Sequence, residues 1–241
     1  MPTVQLFITC LIDSFFPKTG EAVVEILQHL GVDVEFAPDQ TCCGQPQFNA
    51  GLRTDARAIA EHTIRVFEKT NGEIVTPSGS CAHHFRHNYK ELFEGDPLWY
   101  PRAEALGRRV FEFTEYLVDR LGVTDVGAKW DGALAYHPSC HTLRGINVDR
   151  QPRMLLEHVQ GAALAALPNE HECCGFGGVL SVEHPELSAE WLKRKISSLE
   201  AARSPSLVVT DAGCLMHIAG GLHRLGKSPR VIHIADVLNH R

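Results

Sequence analysis

The residues best suited to chemistry in this chain are its eight cysteines, and they fall into two matching sets. Cys10, the adjacent pair Cys42 and Cys43 followed by Gly44, and Cys81 make the first set; Cys140, the pair Cys173 and Cys174 followed by Gly175, and Cys214 make the second. Cys140 lies 130 residues after Cys10, Cys173 lies 131 after Cys42, and Cys214 lies 133 after Cys81. No cysteine falls outside the pattern, so the chain reads as a duplicated cysteine-rich half. A single zinc ion usually draws its ligands from short Cys-x-x-Cys knuckles, and the chain has none. Adjacent cysteines project in different directions, which suits separate corners of a multi-iron cluster, and the glycine after each pair lets the backbone wrap a bulky group. Four cysteines per half would serve one 4Fe-4S cluster each, up to two in the chain. Two alternatives stand beside this reading: a duplicated structural zinc framework, and thiol–disulfide chemistry at one of the vicinal pairs.

The elements that must position these cysteines read as one α/β unit used twice. In the first half, apolar runs over 4–9, 32–36, 73–76 and 109–113 predict strands. Helices are expected over 21–30, with Gly31 at its end, over 55–68, from near Cys81, and from a Thr114 cap to Leu121. The second half repeats the order, with strands over 133–137, 163–167, 207–210 and 230–233 and helices over 152–159, 185–202 and 234–239. An insertion at 91–106, carrying Pro97 and Pro101, has no counterpart in the second half. The expected fold is Rossmann-like α/β, two pseudo-symmetric repeats of a mostly parallel sheet flanked by helices, with domains at 1–128 and 129–241. Every cysteine then follows the carboxyl end of a strand, the usual ligand edge of such sheets, where helix N-termini favour thiolate. The two sets of cysteines are expected near the interface between the halves.

The chain has 241 residues, 44% of them hydrophobic, and a formal net charge of −6. That is enough apolar content for a core, and it gives no basic footprint for nucleic acid. No apolar run approaches the length of a membrane span, and the first ten residues meet Asp13 too early for a signal peptide, so the expected location is cytoplasmic. In a reducing compartment, cysteines at fixed spacing are more often metal ligands or redox groups than disulfides. Several histidines flank the cysteines: His83, His84, His137, His141, His171 and His217. His137 and His141 are the preferred candidates for tuning a cluster or relaying a proton, because they bracket Cys140 at a strand end. Arg144, Arg150 and Arg153 read either as a carboxylate-attracting group or as a solvated helix start. Gly175-Phe176-Gly177-Gly178 does not complete a dinucleotide-binding loop, and no flavin, nicotinamide, P-loop or HExxH motif is found.

The doubled pattern of a lone cysteine, Cys-Cys-Gly and a third cysteine resembles the CCG cysteine-rich domain family, over the whole length of the chain. That domain occurs in heterodisulfide reductase, in the glycolate oxidase iron–sulfur subunit and in lactate utilization proteins. The segments 7–10, 42–46, 77–81, 173–178 and 233–235 are most similar to the lactate utilization branch. The resemblance implies an iron–sulfur, electron-transfer component of an oxidoreductase complex that takes L-lactate to pyruvate. It implies Cys10, Cys42, Cys43, Cys81, Cys140, Cys173, Cys174 and Cys214 as cluster ligands. It also implies further lactate utilization subunits as partners, one with ferredoxin-type clusters; glycolate or another 2-hydroxy acid is the alternative substrate. The heterodisulfide reductase version closes each motif with Cys-x-x-Cys. Here Ser78 and Asp211 stand at those positions, which speaks against heterodisulfide cleavage. Ser78 and Asp211 read as helix N-caps or as oxygen ligands.

Overall fold

The computed structural model describes residues 2–241. The first half runs through β1 (Thr3–Leu6), α1 (Cys10–Phe15), α2 (Pro17–His29), β2 (Asp33–Phe36), α3 (Gln45–Asn49), α4 (Arg53–Phe67), β3 (Glu73–Thr76) and α5 (Gly79–His83). A π-helical turn (His84–Asn88) then leads into α6 (Tyr89–Leu92), α7 (Tyr100–Arg109), β4 (Val110–Glu112), α8 (Phe113–Glu115) and a second π-helical turn (Tyr116–Arg120). The second half runs through β5 (Lys129–His137), a π-helical turn (His141–Gly145), α9 (Arg150–Glu157), β6 (Gln160–Ala165), α10 (Leu180–Glu183), α11 (Pro185–Ala202), β7 (Ser206–Val209), α12 (Ala212–Arg224), β8 (Arg230–His233) and α13 (Ile234–Leu238).

Four strands form a parallel sheet in the order β2-β1-β3-β4, and four more repeat it as β6-β5-β7-β8. This is the α/β class that the alternation of strands and helices predicts. The central strands are buried on both faces, as parallel strands usually are. Their two-residue period then divides the side chains between two cores. Val4, Leu6 and Val75 from the first sheet join Leu134, Tyr136 and Val208 from the second in one core that both halves share. Helix α2 contributes Val23, Ile26 and Leu27 to it, and α13 contributes Val237 and Leu238. The opposite faces supply separate cores: Phe7 and Ile74 with Phe67, Phe85 and Tyr89 in the first half, and Ala135, Leu207 and Val209 with Leu199 and Ile218 in the second.

Register brings the strand ends level. Leu6 lies beside Phe36 and Val75, and His137 lies beside Val209. The loops that carry the cysteines therefore leave each sheet along one edge.

Two local expectations are corrected. The first helix begins at Cys10, not Glu21: Thr9 caps α1 by accepting from Ile12 N at 3.4 Å, and Pro17 opens α2 at a position where its missing N–H is harmless. The insertion at 91–106 carries the start of α7, with Pro101 in its first turn. Glu112, not Thr114, caps α8, its carboxylate accepting from the backbone of Thr114 and Glu115 while Glu115 answers as a capping box.

Candidate metal centre

Each vicinal pair sits in a loop turned by its glycine. Gly44 and Gly175 have φ of 88° and 95°, the left-handed region that a side chain would strain. A Cβ on Gly175 would also stand 2.5 Å from Ser188 O, and the Ser188 hydroxyl donates to Gly175 O at 2.8 Å. The turn aims Gly175 N–H back at Cys173 Sγ, 3.4 Å away. In the first half Tyr89, fully buried, donates to Cys43 O at 2.8 Å and fixes the pair from below. In the second half the support is a cation: Lys195, also fully buried, donates to Asn169 O and Glu170 O at 3.0 and 3.1 Å, holding the loop that leads into Cys173.

The third cysteine of each set lies in the first turn of a helix, and Ser78 and Asp211 are the caps of those helices. Ser78 Oγ accepts from Cys81 N at 3.3 Å, and Asp211 Oδ1 accepts from Gly213 N at 3.0 Å. The two caps also meet across the halves. Asp211 Oδ2 accepts from Ser78 Oγ at 2.9 Å and from Ser80 N at 3.1 Å, so one buried carboxylate caps α12 and α5 together. Both of its oxygens are engaged by the protein.

The eight thiols converge as the strand-end placement predicts. Sγ–Sγ separations are 3.6 Å for Cys10–Cys42 and 3.4 Å for Cys43–Cys81. The corresponding values are 4.0 Å for Cys140–Cys173 and 3.2 Å for Cys174–Cys214. All eight are free thiols, and all eight line one cavity of about 530 Å³ between the halves, together with Phe176, Val179 and Met216. The second member of each pair and the third cysteine are buried, whereas Cys42, Cys140 and Cys173 are half-buried and Cys10 is exposed.

The thiols control one another's ionisation. Bonds from the Cys10 and then the Cys43 thiol hold Cys42 down at about 2, and Cys140 and then Cys174 do the same for Cys173. Cys10 and Cys140 are pushed up by that same bond first, then by burial and the neighbouring charge. Cys43 and Cys174 are pushed well up by the thiols on either side and by burial. Negative charge is favoured at Cys42 in the first group and at Cys173 and Cys214 in the second, Cys214 being held down to about 6 chiefly by the bond from Cys174, and it is opposed at Cys10, Cys43, Cys140 and Cys174. Such a set fits a metal group held by thiolates, because a cation removes the repulsion and displaces the remaining protons.

His137 ends β5, fully buried, and its ring shares a 4.8 Å span with the sulfurs of Cys174 and Cys214. His141 lines the cavity, 3.9 Å from Cys140 Sγ. Two further histidines form a repeat of their own: His84 and His217 each lie three residues after the third cysteine. His84 is fully buried with both ring nitrogens unpartnered and is pushed down to about 3, chiefly by burial. Its position beside Cys42 parallels that of His217, whose Nε2 lies 3.3 Å from Ser188 Oγ, beside Cys173. Cys-x-x-His spacing at 81–84 and 214–217 is the signal in the sequence that marks them as a pair. The arginines lie elsewhere. Arg144 donates to His171 O, Arg150 pairs with Asp119, and Arg153 bridges Asp149 and Glu170; none of them lines the cavity.

Two α/β repeats that turn four cysteines each toward a common cavity define a duplicated cysteine-rich domain. The Cysteine-rich domain (CCG) family matches residues 4–86 and 134–219. Proteins named lactate utilization protein A resemble the chain from end to end. The one from Exiguobacterium sp. is 47% identical, covering 99% of this chain and 98% of its own length. Those from Anoxybacillus flavithermus and Geobacillus kaustophilus are each 46% identical over 99% of both chains. The chain belongs to the CCG family and, within it, to the lactate utilization protein A group. Among the described residues, no helix is long and apolar enough to cross a membrane.

Proposed function

We propose that the chain is the iron–sulfur subunit of a cytoplasmic assembly that oxidises L-lactate to pyruvate. The single observation that carries this reading is the facing of two four-thiol groups across one cavity in a chain whose relatives are named for lactate utilization. Cys10, Cys42, Cys43 and Cys81 would hold one cluster and Cys140, Cys173, Cys174 and Cys214 the other. When bound, such clusters take up and release single electrons. The domains would divide at 128 and 129, one cluster to each.

Four sulfurs around one zinc would stand about 3.8 Å apart along every edge of a tetrahedron with Zn–S of about 2.3 Å. Neighbouring pairs here approach that value. Among the described residues, however, the only three-donor group within 4.8 Å is His137, Cys174 and Cys214. Thiols spread in this way suit a multi-iron group. The protein's own part is to hold those thiols, supply backbone N–H to Cys173, and keep an apolar wall around them. Among the described residues, the cavity wall includes no lysine or arginine to receive a substrate carboxylate. Lactate would therefore be held on a partner, one of the further lactate utilization subunits, and a ferredoxin-type subunit would carry electrons onward.

The deciding experiment is iron, zinc and acid-labile sulfide analysis, with a visible spectrum, on protein purified without oxygen. About eight iron per chain is expected for two four-iron clusters. About two zinc and no sulfide would instead make the chain a zinc-stabilised scaffold. Activity without metal that thiol alkylation blocks would mark a thiol–disulfide enzyme. Cells carrying Cys42→Ala or Cys173→Ala in place of the native chain should lose growth on lactate; normal growth would refute the reading.

A further inference from the structure

The two centres are not copies. Just past the end of β1 stands Phe7, packed edge-on against Phe85 with ring centroids 4.8 Å apart. At the equivalent end of β5 stands His137, 130 residues on. Both side chains are fully buried, but only one is a donor. His137 Nδ1 lies 3.3 Å from Glu170 O. A backbone carbonyl can only accept, so Nδ1 carries the ring proton and Nε2 is left with a bare lone pair. Lys195 Nζ binds the same carbonyl and keeps it in place. Nε2 is sealed from solvent with no hydrogen-bond partner. The ring lies against the sulfurs of Cys174 and Cys214, one ring nitrogen and the two sulfurs lying within 4.8 Å of one another, and Nδ1 is the nitrogen already engaged by Glu170 O. Two sulfurs and an imidazole lone pair gathered at one buried point are a donor set that a cation can occupy, displacing any thiol proton. An imidazole fixed through Nδ1–H to a carbonyl, with Nε2 free, is also the usual preparation of a metal-binding histidine.

We propose that His137 binds iron through Nε2 in the second centre, so that the first centre is held by sulfur alone and the second by sulfur and nitrogen. The proposal rests on the iron–sulfur reading above and deepens it. With His137 taking the place of one of the four thiolates at an iron, the neutral imidazole lowers the negative charge on the centre and raises its reduction potential. The second centre is then the electron acceptor of the pair. Phe7 leaves the first centre without this ligand.

The test uses the whole chain purified without oxygen from cells fed ¹⁵N-histidine, partly reduced, with iron and sulfide measured on the same sample. Pulsed electron paramagnetic resonance reads nitrogen directly bound to iron. The expected result is strong coupling from one histidine nitrogen. It should vanish in His137→Phe, which installs the first half's residue. In a redox titration of that variant, the higher of two potentials should fall and the lower stay fixed. A fully iron-loaded native chain without directly bound nitrogen overturns the proposal, even if His137→Phe fails to fold. So does coupling that survives in His137→Phe or His137→Gln, which would trace it to His141 or another histidine. Coupling only to an exchangeable N–H proton also overturns it, by making His137 a hydrogen-bond donor. A preparation without iron or sulfide refutes the iron–sulfur reading itself, which keeps the two failures apart.

Discussion

Removing the carboxylate of Asp211 should weaken the joint between the halves more than it weakens either half. The group is 8% exposed and accepts three protein hydrogen bonds, from Gly213 N in its own half and from Ser80 N and Ser78 Oγ in the other. In Asp211→Ala α12 loses its cap, at about 1 kcal/mol, while α5 keeps its Ser78 cap. The Ser78 hydroxyl and Ser80 N–H lose a buried, charged acceptor, which adds about 1–2 kcal/mol. The expected loss is about 2–3 kcal/mol, or about thirty- to a hundredfold in the unfolding equilibrium. Asp211→Ser, which installs the first half's cap, keeps the bond to its own helix and loses the reach across; about half the effect should remain. The assay is urea unfolding without oxygen, at equal metal content, followed by circular dichroism and by tryptophan fluorescence to check for a single transition. A double-mutant cycle with Ser78→Ala isolates the contact between the halves, and a coupling of about 1–2 kcal/mol is expected. A shift below about 0.5 kcal/mol in Asp211→Ala, the size of an ordinary surface change, would refute the shared cap. Strict additivity with Ser78→Ala would refute the bond across the halves.

Other perturbations test neighbouring parts of the same construction. A Cβ on Gly79 would stand 1.9 Å from Thr142 Oγ1 and 2.8 Å from Thr142 Cα, so Gly79→Ala must push α5 away from the 141–145 turn; a loss of about 3 kcal/mol or more by urea unfolding is expected. Burial holds the Glu112 carboxyl up at about 7, against 4.5 for an ordinary glutamate, even though Thr114 and Glu115 donate to it. The folded chain therefore binds more protons than the unfolded one between those values, and this contribution, present below pH 4.5, is lost as pH rises through 7. Glu112→Gln, which mimics the protonated form, should match the native chain near pH 4.5 and exceed it by about 3 kcal/mol near pH 8; a difference that does not vary with pH would contradict the assignment. Lys195→Met strands the carbonyls of Asn169 and Glu170 and should reduce stability by about 2 kcal/mol; on the iron–sulfur reading proposed above it should also lower the iron bound by the second half, read by metal analysis, while the first half keeps its own.

Much of this architecture is legible because it is written twice. Eight cysteines at near-constant offsets point to two units. The alternation of strands and helices then places every cysteine at a strand end, where the structure has them. Local caps are harder to read. Thr9 and Pro17 carry ordinary cap signals, but the α1 segment between them is only six residues long, too short to show helical periodicity. The capping box at Glu112 looks like a strand end followed by Thr114, and only its burial reveals which oxygen the backbone uses. What lies beyond the sequence is contact between elements far apart in the chain. Nothing local announces that Asp211 reaches Ser80, or that Lys195, on a helix whose exposed face is charged, turns inward to the loop before Cys173. Histidines beside cysteines are too common a pattern to rank, and burial is needed to separate His84 and His137 from His171.

The departures from symmetry carry more functional content than the symmetry. A pure duplication would give two equal centres, and equal centres offer no preferred direction to an electron. Three equivalent positions differ here: Phe7 against His137, Ser78 against Asp211, and a loop fixed by Tyr89 against one fixed by Lys195. The first difference concerns the donor set of a single centre. The second concerns the joint, because the aspartate spans a gap that a serine in its place would leave open. The cavity is shared, and beside the core common to both halves its two walls are joined at Asp211, so that contact bears on the distance between the two thiol groups. Loosening it should leave each group of four cysteines intact while altering transfer between them. On the iron–sulfur reading proposed above, Asp211→Ser should therefore leave the iron content and both reduction potentials unchanged, yet show slower electron exchange between the centres. Unchanged exchange, with the expected loss of stability, would mean that the cap joins the halves without setting the spacing of their thiols.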